Sequence, residues 1–522
     1  MVTLLPSYSF DDVLLRPRHS NVLSRKNVNI ETYISNKKNK ICLKTPIISS
    51  PMDTVTEKEM AISIALQGGL GIIHRFMDHK SQCEQVKAVK RYLEYIFTDP
   101  ITINQEETLE DCITKKTQRG IKTLCVVNKN GETIGLFTNR DLMQNTLNDN
   151  VIRKIKVTER MTSFEKLHKY FLTEERFMYL MNNKKSIEFN NFMNEIKEIM
   201  LHHRVQKIPI YKEKIIEKEF KEQTKELLGI TTWKSIQHYF YNTSSACLDE
   251  HGRLCVGAAV GIKDDTTLEK VKNLVDAGVN CICVDVANGH NQHTLTMIQK
   301  IRDAFPNLIL MGGNVVTAEG VEKLAQVGCN CIRIGIGNGS ICSTRIETGV
   351  GFGQWSAVQE CANIIFEKNL KDVVVISDGG SLGKTGNKMK ALACGASAIM
   401  VGRTFAGCDE SPGKVVCRNG KFMKYFRGMA STFASISKNE KLDPNHEPSR
   451  ISSAEGVDGM IPCKGSLKEQ IFPIVAGIRS GMSYVGAHSL QELHTLVKNK
   501  KIEWGLSTSI GLQETGIRVK TL

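Results

Sequence analysis

The 522-residue sequence has little that would point to a membrane-bound or secreted protein. No apolar run approaches the roughly 18 residues that a membrane span needs, and the N-terminal stretch 1–11 lacks the basic start and small-residue cleavage pattern of a secretory signal. These absences predict a protein that contacts no membrane and works in the cytoplasm. The ending Lys520-Thr521-Leu522 shares only its leucine with a peroxisomal Ser-Lys-Leu signal, so a peroxisome-like organelle is the alternative location.

The sequence also lacks the patterns of metal-binding and nucleic-acid-binding proteins. Its 16 cysteines include no C-x-x-C pair, and Cys281/Cys283 and Cys329/Cys331 alternate as residues of buried strands do, which predicts reduced thiols. The net charge of +14 comes mainly from lysines spread along the chain with few aromatic residues between them. We therefore expect no nucleic-acid binding, and instead a positive field that attracts small phosphorylated ligands.

One glycine-rich stretch has the composition of a reactive phosphate-binding loop. Gly335, Gly337 and Gly339 follow the apolar run 331–334 and precede Cys342. Glycines let the backbone adopt positive φ and bring its amides close to a phosphate, which places a thiol beside a phosphate cradle. Taken alone, the stretch is compatible with covalent chemistry on a nucleotide and equally with a strand-to-helix turn that carries an inert thiol.

Short apolar runs separated by helical patterns recur along the chain. Six of them begin between residues 254 and 398, mostly 24 to 27 residues apart, and two more fit at 45–49 and 69–74. Eight strand–helix units predict an α/β fold with a parallel sheet closed into a (β/α)8 TIM barrel. An open doubly wound sheet is the alternative.

The region 95–245 interrupts this pattern with two imperfect copies of one unit, at 108–141 and 195–235. In each copy a predicted helix precedes two predicted strands. The unit resembles a tandem pair of cystathionine-β-synthase-type (CBS) domains, a Bateman module that binds purine nucleotides. In that family an acid after the last strand binds the ribose hydroxyls. Asp141 matches this acid and Ser235 does not, so the resemblance implies one regulatory nucleotide site, and a purely structural insertion is the alternative.

The predicted domains are 1–94 for the first part of the barrel, 95–245 for the tandem CBS module, and 246–522 for the remainder of the barrel.

Five further motifs occur in the order of one known enzyme family. They are FDDVLL at 10–15, SSPMDTV at 49–55, GGNVVT at 312–317, SDGG at 377–380 and FRGM at 426–429. Together with the cysteine loop they make the sequence resemble the IMP dehydrogenase and GMP reductase family over nearly its whole length. The resemblance implies an oxidoreductase in which a cysteine thiolate attacks C2 of a purine nucleotide and a nicotinamide cofactor exchanges a hydride with the same carbon.

The resemblance also implies the site residues. Cys342 is the implied nucleophile, and Thr344 and Glu455 handle the proton of the leaving group. Asp378 would accept hydrogen bonds from the two ribose hydroxyls, although an aspartate before a helix often serves only as a cap. The implied substrate-binding residues are Ser50, Met52, Ser340, Asp378, Gly379, Gly380, Gly402, Gly428 and Met429. The implied cofactor-binding residues are Asp285, Ala287, Asn288 and Gly289. A monovalent cation, K⁺, is implied on the carbonyls of Gly337, Gly339 and Cys342.

Several positions favour the reductase over the dehydrogenase. The flap of the dehydrogenase carries an Arg-Tyr pair whose arginine is the base for water, whereas the segment 430–453 has Arg450 followed by Ile451 and no such pair. Further resemblance to the reductase lies at 285–289 and 348–362, and resemblance to the dehydrogenase lies at 51–57, 410–413, 427–429 and in the inserted module.

The sequence is therefore interpreted as a CBS-containing GMP reductase that uses NADPH to convert GMP to IMP and ammonia. An IMP dehydrogenase, which converts IMP, NAD and water to XMP, is the alternative. A nucleotide-sensing binding protein without catalysis is a more distant one. The family also implies a homotetramer that pairs into octamers through the CBS domains.

Four positions depart from the family pattern. Asn338 and Gly353 stand where prolines are usual, and Phe426 stands where the dehydrogenase often has a phosphate-binding tyrosine, which leaves Tyr425 as a substitute. Arg403 stands where a small residue normally touches phosphate. Its guanidinium could add a bidentate phosphate contact or could point into solvent.

Overall fold

A computed structural model describes residues 4–35, 39–119, 121, 123–142, 154–184, 186–217, 220–240, 245–262, 266–431, 454–508 and 511. The chain divides into two compact units, one comprising Met1–Tyr92 with Ser244–Leu522 and the other comprising Leu93–Thr243. Within the described ranges, no helix is both long and apolar enough to cross a membrane.

The larger unit contains the closed parallel barrel that the sequence predicts, and the open doubly wound alternative is therefore wrong. Its strands are β1 (Ile47–Ser49), β2 (Leu70–Ile73), β3 (Val256–Val260), β4 (Cys281–Asp285), β5 (Ile309–Val315), β6 (Cys331–Ile334), β7 (Val374–Asp378) and β8 (Ala398–Val401). They pair in the order β3-β4-β5-β6-β7-β8-β1-β2, and β2 pairs with β3 to close the sheet. Because such strands are buried on both faces, they appear in the sequence as continuous apolar runs.

Helices follow the strands and cover the outside of the barrel. They are α1 (Lys58–Leu66), α2 (His79–Arg91), α3 (Thr266–Asp276), α4 (Gln292–Ala304), α5 (Ala318–Gln326), α6 (Gln354–Glu367), α7 (Thr385–Ala393), α8 (Leu467–Tyr484) and α9 (Leu490–Lys498), with short helices at Thr344–Thr348 and Arg403–Ala406. The strands fill the barrel interior with side chains such as Ile48, Leu70, Ile72, Met311 and Met400. The interior is therefore a packed core, and only the ends of the strands can form a binding site.

The barrel unit also contains short antiparallel pairings. Val13–Leu15 pairs with Trp504–Leu506, and Thr32–Ser35 pairs with Lys40–Leu43. A three-stranded sheet consists of Val415–Arg418, Lys421–Arg427 and Asp458–Pro462. Because Arg427 pairs with Asp458, the segment that follows residue 427 and the segment that precedes residue 458 lie at the same end of this sheet.

All sixteen cysteines are free thiols, and most of them are buried. Burial raises the pKa of Cys283 and of Cys329 to about 12, and it raises the pKa of Cys331 as well. These core thiols therefore stay protonated and act as small apolar side chains. Cys342 differs from them because it is partly exposed.

The smaller unit consists of two halves, each with its own sheet. The first half has strands Thr102–Asn104, Thr123–Val127, Thr133–Thr138 and Thr162–Ser163 with helix Leu109–Arg119, and the second has strands Tyr170–Leu172, Lys207–Glu217 and Phe220–Thr232 with helices Glu174–Asn182, Ile187–His202 and Trp233–Phe240. In each half a helix precedes two paired antiparallel strands. The second hairpin is longer than the predicted strands because it continues outward over charged residues, where Lys212 Nζ lies 3.1 Å from a carboxylate oxygen of Glu226.

Candidate active site

A cavity of about 400 Å³ lies at the carboxyl ends of the barrel strands. Functional sites of such barrels lie at this face, because the loops after the strands converge there. The cavity brings together most of the residues that the sequence nominates. They are Ser50, Met52, Asp285, Ala287, Gly337, Gly339, Ser340, Cys342, Thr344, Asp378, Gly379, Gly380, Gly402, Gly428, Met429 and Glu455. Segments from β1, β4, β6, β7, β8 and the end of the antiparallel sheet thus share one space.

The cysteine loop follows β6 and turns sharply into the cavity. Gly337 has a φ of +75°, and a Cβ added there would lie 2.6 Å from Cγ of Arg345, so both conformation and space require glycine. The loop is then held by backbone pairing with a segment more than a hundred residues away. Ser343 N–H donates to the carbonyl of Glu455 at 3.0 Å, and Val457 N–H donates to the carbonyl of Ile341 at 3.0 Å. This pairing places Glu455 beside the cysteine.

Three side chains form a continuous hydrogen-bonded chain at the cysteine. Sγ of Cys342 lies 3.1 Å from Oγ1 of Thr344, and that hydroxyl donates to Oε2 of Glu455 at 2.8 Å. A hydroxyl can accept one hydrogen bond while it donates another. The chain can therefore pass the thiol proton to the carboxylate, leave a thiolate, and later return the proton to a group near C2 of a bound purine.

A second cluster in the cavity was not predicted from the sequence. Nη2 of Arg333 donates to Oδ1 of Asp285 at 2.7 Å and to Oδ1 of Asn314 at 2.5 Å, and Nδ2 of Asn314 donates to Oδ2 of Asp378 at 3.0 Å. Nε of Arg75 lies 3.6 Å from the other oxygen of Asp285. The sequence signal was present, since Arg333 is a lone charge inside the apolar run of β6 and Asn314 belongs to a family motif. The cluster links the implied cofactor carboxylate to the implied ribose carboxylate.

The two carboxylates of this cluster have opposite electrostatic surroundings. Burial raises the pKa of Asp378, and Arg333 and Asn314 offset only part of that effect. Burial also raises the pKa of Asp285, but Arg333 and Arg75 lower it by more, so the net pKa is below the usual range. Asp285 is thus held as an anion, whereas the charge on Asp378 is costly until a ligand donates hydrogen bonds to it.

Two departures from the family pattern have clear packing reasons. Nδ2 of Asn338 donates to the carbonyl of Asp378 at 2.9 Å and also hydrogen bonds to Gln354, so this side chain ties the cysteine loop to β7. A Cβ at Gly353 would lie 2.4 Å from the carbonyl oxygen of Tyr8, which leaves no room for a proline ring. Phe426 lines the cavity, whereas Tyr425 is not among the lining residues.

A buried ion pair fixes the segments that carry the two methionines of the cavity. Nε of Arg427 donates to Oδ2 of Asp53 at 2.9 Å, and the Asp53 N–H points to Sδ of Met429 at 3.4 Å. A Cβ on Gly428 would lie 3.1 Å from Cα of Gly456, so the chain passes closely here. The ion pair and this close passage hold together the segments that carry Met52 and Met429 at the cavity.

Three nominated residues lie outside the cavity lining. Asn288 accepts a hydrogen bond from the His290 N–H at 3.0 Å, and the Gly289 N–H donates to the carbonyl of Asn314 at 2.8 Å, so both shape the loop after β4. Asp141 belongs to the smaller unit, where its carboxylate accepts from the Thr138 N–H at 2.5 Å. Arg450 and Ile451 lie outside the described residues.

The carbonyl of Gly339, one of the three implied to hold K⁺, accepts a hydrogen bond from the Cys342 N–H at 3.1 Å. Within the described residues, no cluster of His, Cys, Asp and Glu side chains could hold a metal ion.

Comparison with known proteins gives a consistent family. The model of the IMP dehydrogenase / GMP reductase domain matches residues 7–517. An inosine-5'-monophosphate dehydrogenase from Aquifex aeolicus is 37% identical over 496 residues, which covers 95% of this chain and 93% of that protein. One from Bacillus subtilis is 35% identical and covers 97% of this chain and 94% of that protein. Among solved structures, a GMP reductase variant from Trypanosoma brucei in complex with guanosine 5'-monophosphate matches with a TM-score of 0.79 and 32% identity, covering 99% of both chains.

Proposed function

We propose that this chain, which belongs to the IMP dehydrogenase / GMP reductase family, is a GMP reductase that converts GMP to IMP and ammonia with NADPH. The family establishes an oxidoreductase that uses a nicotinamide cofactor and a purine nucleotide. The observation that carries the finer proposal is the absence of an Arg-Tyr pair from the segment 430–453. The continuous chain from the Cys342 thiol through Thr344 to Glu455 is compatible with either member of the family and offers a route for the proton that ammonia release would require.

The first half of the proposed reaction uses only this chain's own residues. The Cys342 thiol gives its proton through Thr344 to Glu455, and the thiolate forms a C–S bond at C2 of GMP. The bond between C2 and the amino nitrogen then breaks, and the proton returns through Thr344 to that nitrogen, which leaves as ammonia. The step is balanced, because sulfur takes the place of nitrogen on C2 and the thiol hydrogen becomes the third hydrogen of ammonia. The product is a thioether between Cys342 and the purine.

The second half needs a hydride at C2. A bound NADPH would supply that hydride, and the Cys342 sulfur would leave C2 as a thiolate that takes up one proton. The residues fit such a cofactor, since Asp285 and Ala287 line the cavity beside the cysteine loop and Asp285 is held as an anion by Arg333 and Arg75. Asp285 would accept hydrogen bonds from the cofactor and help to hold it in the cavity.

The remaining groups of the proposal bind the nucleotide. Asp378 would accept from the ribose hydroxyls, and the amides around Ser340, Gly379 and Gly380 would hold the phosphate. The proposal also includes a K⁺ site on the carbonyls of Gly337, Gly339 and Cys342, a nucleotide site at Asp141 and a tetrameric assembly.

An IMP dehydrogenase is the second candidate, and the curated relatives support it. Eight of them, 34–37% identical over nearly the whole chain, bear that name. That reaction must hydrolyse the same thioether with water. The segment 430–453 contains no Arg-Tyr pair to serve as the base, and general-base assistance contributes about 10² to 10⁴ in rate.

One assay separates the candidates. The purified full chain is mixed with GMP and NADPH, and separately with IMP and NAD, while nicotinamide absorbance is followed and the products are identified by chromatography. We expect sustained NADPH oxidation with IMP as product, and at most slow XMP release in the second mixture. Sustained XMP formation with no NADPH oxidation by GMP would make the protein an IMP dehydrogenase.

A further inference from the structure

Arg403 is a cation in the cavity that nothing else in the site uses. It follows β8 directly and lines the cavity, and its side chain is exposed. Its guanidinium makes no hydrogen bond or ion pair with any residue in the described ranges. The preceding Gly402 packs against the loop after β1, since a Cβ there would lie 3.1 Å from Sδ of Met52. The backbone that carries Arg403 is thus fixed at the cavity wall.

The other two arginines of the cavity are already committed. Arg333 lies 2.7 Å from Asp285, and Arg75 lies 3.6 Å from the same carboxylate. Arg333 lies in β6 and Arg75 comes shortly after β2, and both neutralise Asp285 at the end of β4. Neither is available to a second anion without leaving that carboxylate buried and uncompensated, which is costly.

The proposed phosphate end of the cavity is otherwise uncharged. The lining residues that we propose to hold the phosphate are Ser340, Gly379, Gly380 and Ser381, together with Gly402 beside Arg403, and of these only Arg403 is charged. Neutral amides and hydroxyls can cradle an anion, but they do not favour a dianion over a monoanion as strongly as a cation does. A guanidinium at this end supplies the missing charge and offers two parallel donors.

We propose that Arg403 binds the 5′-phosphate of the nucleotide and makes the enzyme select the phosphate dianion over the monoanion and over the free nucleoside. The inference rests on the proposed binding of a purine nucleotide in this cavity, but it is independent of the direction of the reaction, because GMP and IMP carry the same phosphate.

The test measures binding and not turnover. Dissociation constants of GMP, IMP and guanosine are determined by titration calorimetry for the parent protein, Arg403→Ser, Arg403→Lys and the control Arg418→Ser, which removes an exposed arginine that does not line the cavity. We expect Arg403→Ser to weaken GMP and IMP about tenfold, the size of one lost charge-assisted hydrogen bond in a partly solvated site. Guanosine should bind all four proteins alike, and Arg403→Lys should recover part of the loss.

The pH dependence of GMP affinity distinguishes a phosphate contact from a merely structural role of Arg403. A phosphomonoester loses its second proton near pH 6, whereas the arginine stays charged throughout. The ratio of GMP affinities between parent and Arg403→Ser should therefore shrink as the pH falls below about 6. Unchanged GMP affinity in Arg403→Ser, equal weakening of guanosine, or a pH-independent ratio would each overturn the proposal. Failure of GMP and IMP to bind the parent protein at all would instead refute the proposed function.

Discussion

The carboxylates of Asp285 and Asp378 share Arg333, yet we expect neutralisation to destabilise the protein only at Asp285. In Asp285→Asn, Arg333 loses the partner at 2.7 Å and Arg75 loses the partner at 3.6 Å. The side chain of Arg333 is 4% exposed, so its charge is left almost without solvent. Removing one partner of a buried ion pair costs about 3–5 kcal/mol.

This loss converts into a measurable melting shift. The barrel unit has about 370 residues, and unfolding entropy is about 2.1 cal/mol/K per residue. A loss of about 3–5 kcal/mol therefore lowers the melting temperature by about 4–6 °C. Because the pKa of Asp285 is lowered in the folded state, the stabilisation that this variant removes is present above the unfolded pKa of about 3.9. The stabilisation is lost as the pH falls through the folded pKa.

For Asp378→Asn the sign is reversed. Burial raises the pKa of Asp378, so between the unfolded pKa of about 3.9 and the folded pKa the native state binds more protons, and stability falls as the pH rises. An amide removes the cost of the buried charge, and its oxygen can still accept the hydrogen bond from Asn314, which is 3.0 Å long in the native protein. We expect a melting temperature equal to or above that of the parent at pH 7, with the gain disappearing below about pH 4.

The assay is thermal unfolding followed by circular dichroism from about pH 3 to about pH 8, a range that extends below the unfolded pKa of about 3.9. The parent, both variants and Asp372→Asn are compared, since Asp372 is an exposed carboxylate that controls for the substitution itself. The reasoning is refuted if Asp285→Asn melts with the parent at pH 7, or if Asp378→Asn loses as much stability as Asp285→Asn.

Two further predictions concern turnover and regulation. Cys342→Ala should abolish turnover and leave GMP binding largely intact, because the thiol forms the covalent bond while other groups hold phosphate and ribose; turnover within about tenfold of the parent would remove the thioether mechanism. Replacing residues 95–245 by a short Gly/Ser linker should leave a folded, active barrel that no longer responds to ATP or GTP. Asp141→Ala in the full chain should lose the same response, and a parent whose rate, assembly and melting are all insensitive to purine triphosphates would contradict the regulatory site.

The strand pattern of the barrel could be predicted because each buried parallel strand produces an apolar run at a regular interval. The run at 331–334 shows where such a prediction ends. Its hydrophobicity located β6 correctly, but it did not show the partners of Arg333, which donates to the Asp285 carboxylate of β4 and to the Asn314 amide oxygen of β5. Periodicity along one strand carries no information about which side chains of neighbouring strands meet inside a barrel. The contact between Arg333 and Asp285 could therefore be identified only in the three-dimensional structure.

The pairing of the cysteine loop with the segment after residue 454 could not be predicted from the sequence for a related reason. Family resemblance nominated Glu455, but only the backbone bonds between Ser343 and Glu455 and between Ile341 and Val457 show how it reaches the cysteine. These bonds join the cysteine loop to the segment that carries Glu455 through main-chain atoms. Main-chain hydrogen bonds are compatible with many side chains, so they produce no sequence motif.

The arrangement of the site also explains why one barrel can serve both reactions of this family. In the proposed mechanism, formation of the thioether at C2 and hydride exchange at that carbon would use Cys342, Thr344 and Asp285 in the same places, whichever way the reaction runs. The difference lies in what breaks the remaining bond of the intermediate, either a hydride after ammonia has left or a water that needs a base. The Thr344–Glu455 hydrogen bond would supply proton transfer to a leaving amine without any further residue. Under the proposed mechanism, a sequence that keeps this pair and lacks the Arg-Tyr pair would retain what the reductive direction needs, because only hydrolysis would depend on the missing base.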